Sequence, residues 1–180
     1  MKASVYCTTK TLAQAENIVL ALKNAGFGSN DISALLPDKR TTRDFAHEHN
    51  TKAPEGAATG GVAGLGVGAA IGWLAGIGTL AIPGLGALIA AGPIVGALSG
   101  AAVGTAAGGL IGALVGMGIP EFEAKRYDAK VREGNILISV HTEDSKQRDV
   151  AKEIFKRYDA DDISTGSESS AKGAQHDKAA

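Results

Sequence analysis

Residues 56–120 read GAATGGVAGLGVGAAIGWLAGIGTLAIPGLGALIAAGPIVGALSGAAVGTAAGGLIGALVGMGIP, and this stretch decides the fold. Its 65 residues include no Asp, Glu, Lys, Arg or His. Glycine recurs at every fourth position in two runs. The first run is Gly60, Gly64, Gly68, Gly72 and Gly76; the second is Gly92, Gly96, Gly100, Gly104, Gly108, Gly112 and Gly116. Residues four apart share one face of an α-helix, so each run predicts a bare stripe for helix packing and self-association.

The two glycine runs predict an α-helical hairpin over residues 56–119. Its arms are expected at about Ala57–Thr79 and Pro93–Ile119, because Pro83-Gly84 and Gly92-Pro93 interrupt the pattern between them. Each glycine costs a helix about 1 kcal/mol relative to alanine, so packing against a neighbour must offset several such costs. An isolated helix of this sequence is therefore not expected to persist in water.

Several environments are possible for this hairpin. Each arm is long enough to cross a hydrocarbon layer of about 30 Å, which favours two membrane spans. However, much of each arm is Gly and Ala, and the connecting tip LAIPGLGALIAAGP has no polar side chain to face water beyond a bilayer. The open alternatives are a spanning hairpin, a hairpin that enters one leaflet, the buried centre of a soluble oligomer, and an ordinary monomeric core.

The charged segments on either side of the run predict two similar halves. In residues 1–37, alternation over 3–8 predicts a strand, a cap at Thr11 with Gln14 begins a helix over 12–25, and residues 31–36 form a second strand. In residues 120–164, a helix begins at Pro120 and ends near Gly134, followed by a strand over 135–142. A helix capped by Asp144 and a short strand over 161–164 complete this half.

Two strand-helix-strand halves predict an α+β fold, a ferredoxin-like sandwich with four antiparallel strands and two helices on one face. The glycine-zipper hairpin then interrupts the sandwich between its second and third strands. Residues 38–55 form a polar connector, and residues 165–180 are expected to be a disordered tail because Ser, Ala, Gly and Lys dominate them.

No arrangement of reactive residues predicts a catalytic, cofactor-binding or metal site. The triplet His47-Glu48-His49 has the wrong spacing for two ligands on one helix face, and Asp159, Asp161 and Asp162 lack the pattern of a calcium loop. Cys7 and His141 are expected to meet only if their strands are neighbours, and they lack a third ligand. Residues 64–72 have no Lys-Ser/Thr of a phosphate-binding loop. We therefore expect a protein that is not an enzyme and has no cofactor.

The whole composition limits the partners and the compartment. A net charge of −1 over 180 residues gives no electrostatic basis for binding nucleic acid. The single cysteine, Cys7, excludes an internal disulfide and fits a reducing compartment, and the start MKASVYCTTK is too short in its apolar part for a signal peptide. A hairpin returns the chain to the side where it began, so both halves are expected in the cytoplasm.

The block GMGIPEFEAKRYDAKVREGNILISV, residues 116–140, resembles the bacterial general stress protein family, which includes heat-induced and low-temperature-induced proteins. The first strand and helix, the glycine-zipper centre and the late DDIS at 161–164 agree with the same resemblance. It spans roughly residues 3–164 and implies a stress-associated protein, often described as a membrane protein, without an assigned reaction.

Together these features predict a non-enzymatic stress-response protein that associates with membrane lipid and with copies of itself. The expected location is the bacterial inner membrane, with the sandwich in the cytoplasm. The alternatives are a soluble cytoplasmic assembly with the hairpins in a common apolar interior, and a regulatory module that binds a small ligand. No small-molecule substrate is identified.

Overall fold

In a computed structural model, which describes residues 3–37, 77–82, 86–96, 98 and 109–167, the chain is a mixed α+β protein. Its strands are β1 (Ala3–Thr9), β2 (Ile32–Pro37), β3 (Ile77–Ile82), β4 (Gly86–Ala91), β5 (Ile136–Thr142) and β6 (Asp161–Ser167). Its helices are α1 (Leu12–Asn24), α2 (Gly109–Gly116), α3 (Glu121–Arg132) and α4 (Ser145–Arg157). The strands form one antiparallel sheet in the order β3-β4-β2-β5-β1-β6.

Both predicted helix caps are confirmed. The Thr11 hydroxyl accepts a hydrogen bond from the Gln14 backbone N–H at 3.2 Å, and the Asp144 carboxylate accepts one from Gln147 at 2.8 Å. The Gln14 side chain also donates to the carbonyl of Tyr158 at 2.7 Å, so the start of α1 is fastened to the end of α4. These local signals fix where both helices begin, because an unpaired N–H at a helix start requires an acceptor.

Helices cover both faces of the sheet, whereas the sequence predicted helices on one face only. One face packs against α1 and α4 around a core that includes Val5, Cys7, Ile18, Leu22, Ile138 and Phe155. The other face packs against α2 and α3 around Tyr6, Leu35, Leu88, Leu114, Tyr127 and Leu137. Since successive residues of a strand point to opposite faces, β1 and β5 are buried on both sides and contribute to both cores.

The region predicted as a helical hairpin contains two strands. β3 and β4 occupy the tip and the last three residues of the expected first arm, Ile77–Thr79, and they pair over six positions from Ile77↔Ala91 to Ile82↔Gly86. β4 then joins the sheet beside β2. The glycine repeat lapses between Gly76 and Gly92, and β-branched residues such as Ile77, Thr79 and Ile82 favour a strand there. The rest of the expected first arm, Ala57–Gly76, lies outside the described residues.

Part of the expected second arm is helical. α2 lies within Pro93–Ile119, a helical turn begins at Ile94, and residues 99–108 lie outside the described part of the chain. Among the described residues, no helix is both long and apolar enough to cross a membrane.

The start of the predicted disordered tail is a strand instead. Residues 165–167 belong to β6, where Thr165 pairs with Val5 and Ser167 pairs with Ala3. Pairing with the buried strand β1 satisfies the backbone N–H and C=O groups of these residues, which the composition predicted to be hydrogen-bonded to water. A smaller difference concerns α3, which has Pro120 as its N-cap and ends at Arg132 rather than near Gly134.

Candidate self-association surface

Helix α2 has a buried face and an exposed apolar face. Its inward residues Leu110, Ala113 and Leu114 are at most 4 % exposed and pack in the core shared with α3. Its outer face, which we define as Gly112, Val115 and Gly116, is exposed, and the Val115 side chain is 40 % exposed. Because the inward residues recur at helical spacing, burying them leaves the predicted glycine stripe pointing outward.

The turn after α2 places a second apolar group beside this helix. Gly118 has a φ of +87°, and the N–H groups of Gly118 and Ile119 donate to the carbonyls of Val115 and Leu114 at 2.9 and 3.1 Å. This arrangement is the common way in which a left-handed residue ends a helix. It allows α3 to begin at Glu121 and pack against α2, with Phe122 in its first turn 76 % exposed.

Phe122 is the most exposed large apolar side chain among the described residues. The Arg126 guanidinium lies 5.7 Å from the centre of its ring, and the same guanidinium contacts Asp162 at 2.9 Å. An aromatic ring left in water beside a cation is a common anchor at protein interfaces. Phe122 could not be predicted from the sequence, because a single aromatic residue in a charged helix gives no periodic signal.

The four described glycines of the predicted stripes are not equivalent. At Gly112, Gly116 and Gly96, a methyl group built on the described structure would meet no atom within 4 Å. At Gly92 it would lie 2.1 Å from the carbonyl oxygen of Ile32, and the φ of +86° is one that only glycine adopts readily. Gly92 therefore serves the fold, at the junction of β4 and β2, and the exposed glycines are free to contact a partner.

The other eight predicted packing glycines lie outside the described residues, so the structure does not place them. They are Gly60, Gly64, Gly68, Gly72, Gly76, Gly100, Gly104 and Gly108. His47, Glu48 and His49 also lie outside the described part of the chain.

The remaining reactive residues do not converge. β1 and β5 are neighbours, as expected for Cys7 and His141 to meet, but Cys7 pairs with Ile138 and His141 pairs with Ser4. The two residues also alternate onto opposite faces of the sheet. Burial raises the pKa of the Cys7 thiol well above its ordinary value, which keeps it protonated and unreactive.

The acidic cluster near the end of α4 has protein cations as its partners. Lys10 contacts Asp161 at 2.9 Å, and the hydrogen bond that its ammonium group donates to this carboxylate raises the pKa of Lys10. Arg126 contacts Asp162 at the same distance. Within the described ranges, no three His, Cys, Asp or Glu residues are grouped so that they could hold a metal ion.

A network of hydrogen bonds beneath α3 links this helix to β6. The buried Tyr127 hydroxyl donates to the carbonyl of Asp162 at 2.6 Å and shares a hydrogen bond with the Ser164 hydroxyl at 2.7 Å. Burial raises the pKa of Tyr127, so the phenol stays neutral. The network ties α3 to β6 and so holds Phe122 and α2 in a fixed relation to the sheet.

Comparisons of the chain with protein-family models, with curated proteins and with solved structures found no match in any of the three.

Proposed function

We propose that this protein is a non-enzymatic stress-response protein that assembles with copies of itself through the glycine-rich run, residues 56–119. The observation that carries the proposal is the outer face of α2, where Gly112 and Gly116 lie exposed beside Val115. Exposed apolar surface of this kind is characteristic of protein contacts, and bare glycines let a second backbone approach closely. The stress role rests on the resemblance of residues 116–140.

The fold that we propose for the flanking halves is a ferredoxin-like sandwich. In its support, β2-β5-β1-β6 is the strand order that two strand-helix-strand halves produce, and α1 and α4 lie on the same face. The glycine-rich insert then lies between β2 and β5 in the chain, and its strand β4 pairs with β2 on the side away from β5. We propose that the glycine-zipper helices occupy the insert on either side of the β3–β4 hairpin.

Contact with membrane lipid is a second proposed role, and the absence of charge across 65 residues favours it. Cells that express the full chain should be fractionated and their membranes washed with alkaline carbonate. Retention in the washed pellet would support a lipid anchor, and complete release would contradict it.

The assembly proposal is tested with the double variant Gly112→Leu, Gly116→Leu in the full chain. Since a methyl group at either position meets nothing, the variant should fold, while its leucines obstruct a partner backbone. The expected result is a smaller native mass by sedimentation velocity, with an unchanged circular dichroism spectrum.

The control is Ala129→Leu, which introduces a leucine at an exposed position of α3. It should leave the native mass unchanged. A double variant that assembles as fully as the wild type would contradict the proposal.

A further inference from the structure

The two outer strands of the described sheet differ in how they are protected. β6 carries an irregularity between the pairs of Tyr6 and Thr8, where one residue of β1 faces two of β6. Asp162 lies in that bulge with a φ of +52°, and the neighbouring Asp161 is paired with Lys10. Bulges and charges are the devices by which sheets prevent their edges from pairing with another chain.

The opposite edge, β3, has none of these devices. Its sequence IGTLAI contains neither a charged residue nor proline, and its pairing with β4 is unbroken over all six residues. Among the described residues, β3 pairs on one side only. In an antiparallel ladder, alternate residues of an edge strand direct their N–H and C=O groups away from their partner. Within the described part of the chain, the edge therefore presents a row of donors and acceptors with which another extended strand can pair.

We propose that β3 pairs antiparallel with β3 of a second copy of this chain, which makes one continuous sheet across a two-fold axis. A second copy fits because an antiparallel pair of identical strands is self-complementary and closes after two subunits. Pairing of β3 with β6 of another copy is disfavoured, because the bulge in β6 interrupts its ladder. The two-fold axis is perpendicular to the sheet, so it passes near Thr79 or Leu80 at the strand centre.

This interface is distinct from the outer face of α2 and goes beyond the proposed function. An interface with two-fold symmetry alone stops at a dimer. If α2 supplies a second contact, β3 dimers become the units from which a larger assembly grows. Substitutions can therefore disrupt the β3 interface and the α2 interface separately.

The first test is site-directed cross-linking of the full chain carrying Thr79→Cys. The native Cys7 is fully buried, so the introduced thiol is the one that reacts with a short bismaleimide. Near the two-fold axis the two copies of residue 79 are separated by about 5 to 8 Å, so a covalent dimer should be the main product. The matched control, Ser145→Cys at the exposed start of α4, should remain monomeric on a denaturing gel.

The second test uses charge at the same position, in the Gly112→Leu, Gly116→Leu background to remove contacts through α2. Thr79→Lys and Thr79→Glu should each reduce the dimer to a monomer, because like charges face each other across the axis. Mixing the two variants should restore the dimer, which a misfolded chain would not do. Equal cross-linking of the two cysteine variants, or a dimer that survives Thr79→Lys, would overturn the β3 proposal without bearing on α2.

Discussion

At the scale of single residues, Tyr127 is the side chain that links α3 to β6. We predict that Tyr127→Phe lowers the free energy of unfolding by about 1 to 3 kcal/mol, because the Asp162 carbonyl and the Ser164 hydroxyl lose their partner in a buried place. Urea denaturation followed by circular dichroism measures the change. Tyr158→Phe, in which the ring is only partly buried, is the control, and equal stabilities for the two variants would contradict the assigned role.

Glu16 in α1 is expected to make the free energy of unfolding depend on pH. Its Oε1 atom is buried without a hydrogen-bond partner among the described residues, and desolvation raises the pKa of this carboxyl. The folded state therefore keeps its proton to a higher pH than the unfolded state does. The stabilisation that comes from this tighter proton binding is present at acid pH. It decreases as the pH rises from the ordinary carboxyl pKa through the raised one, and it is absent at neutral pH.

We predict that Glu16→Gln removes this dependence, because an amide does not titrate. The stability of the wild type relative to the variant should fall between acid and neutral pH, as measured by thermal unfolding at several pH values. Glu153→Gln, at an exposed ion pair with Arg157, is the control and should show no comparable trend. A difference between wild type and Glu16→Gln that rises with pH would show the sign to be wrong.

At the scale of elements, the flanking helices and strands could be predicted because their signals are local. Caps at Thr11 and Asp144, and alternation in β1 and β5, do not depend on the rest of the chain. The strands β3 and β4 could not be predicted in the same way, because residues 80–92 were expected to connect two helical arms and Ile77–Thr79 to end the first arm. The lapse of the glycine repeat between Gly76 and Gly92 was the available signal.

The outer face of α2 could be predicted as a glycine stripe, but its direction could not. Whether Gly112 and Gly116 point inward depends on which residues α2 buries against α3, and this is a tertiary contact. The network around Asp162 could not be predicted for the same reason, since Arg126 and Asp162 are distant in sequence. The role of Gly92 needed the position of Ile32 in β2.

The same substitution at Gly92 and at Gly112 distinguishes a glycine that the fold requires from one that is exposed on the surface. Gly92→Ala should destabilise the fold strongly, because its methyl group would collide with the backbone of β2 and its φ suits glycine alone. Gly112→Ala should stabilise the fold of the unassociated subunit by up to about 1 kcal/mol, because alanine favours a helix and its methyl group meets no atom of the same chain within 4 Å. Thermal unfolding of both variants measures the difference, and two variants of equal stability would contradict it.

At the scale of the whole molecule, a sheet covered on both faces carries two unprotected surfaces, the outer face of α2 and the edge of β3. Neither is covered by another part of the described chain, and both are apolar and uncharged in sequence. Association is the common way to remove such surface from water. The central claim is that copies of this chain meet through these surfaces.

The most direct measurement of that claim is the native mass of the full chain, purified without detergent, by sedimentation velocity over a range of concentrations. We expect a species heavier than a dimer, whose mass falls in the Gly112→Leu, Gly116→Leu variant. A single species at the monomer mass of 18.2 kDa, at every concentration, would contradict it.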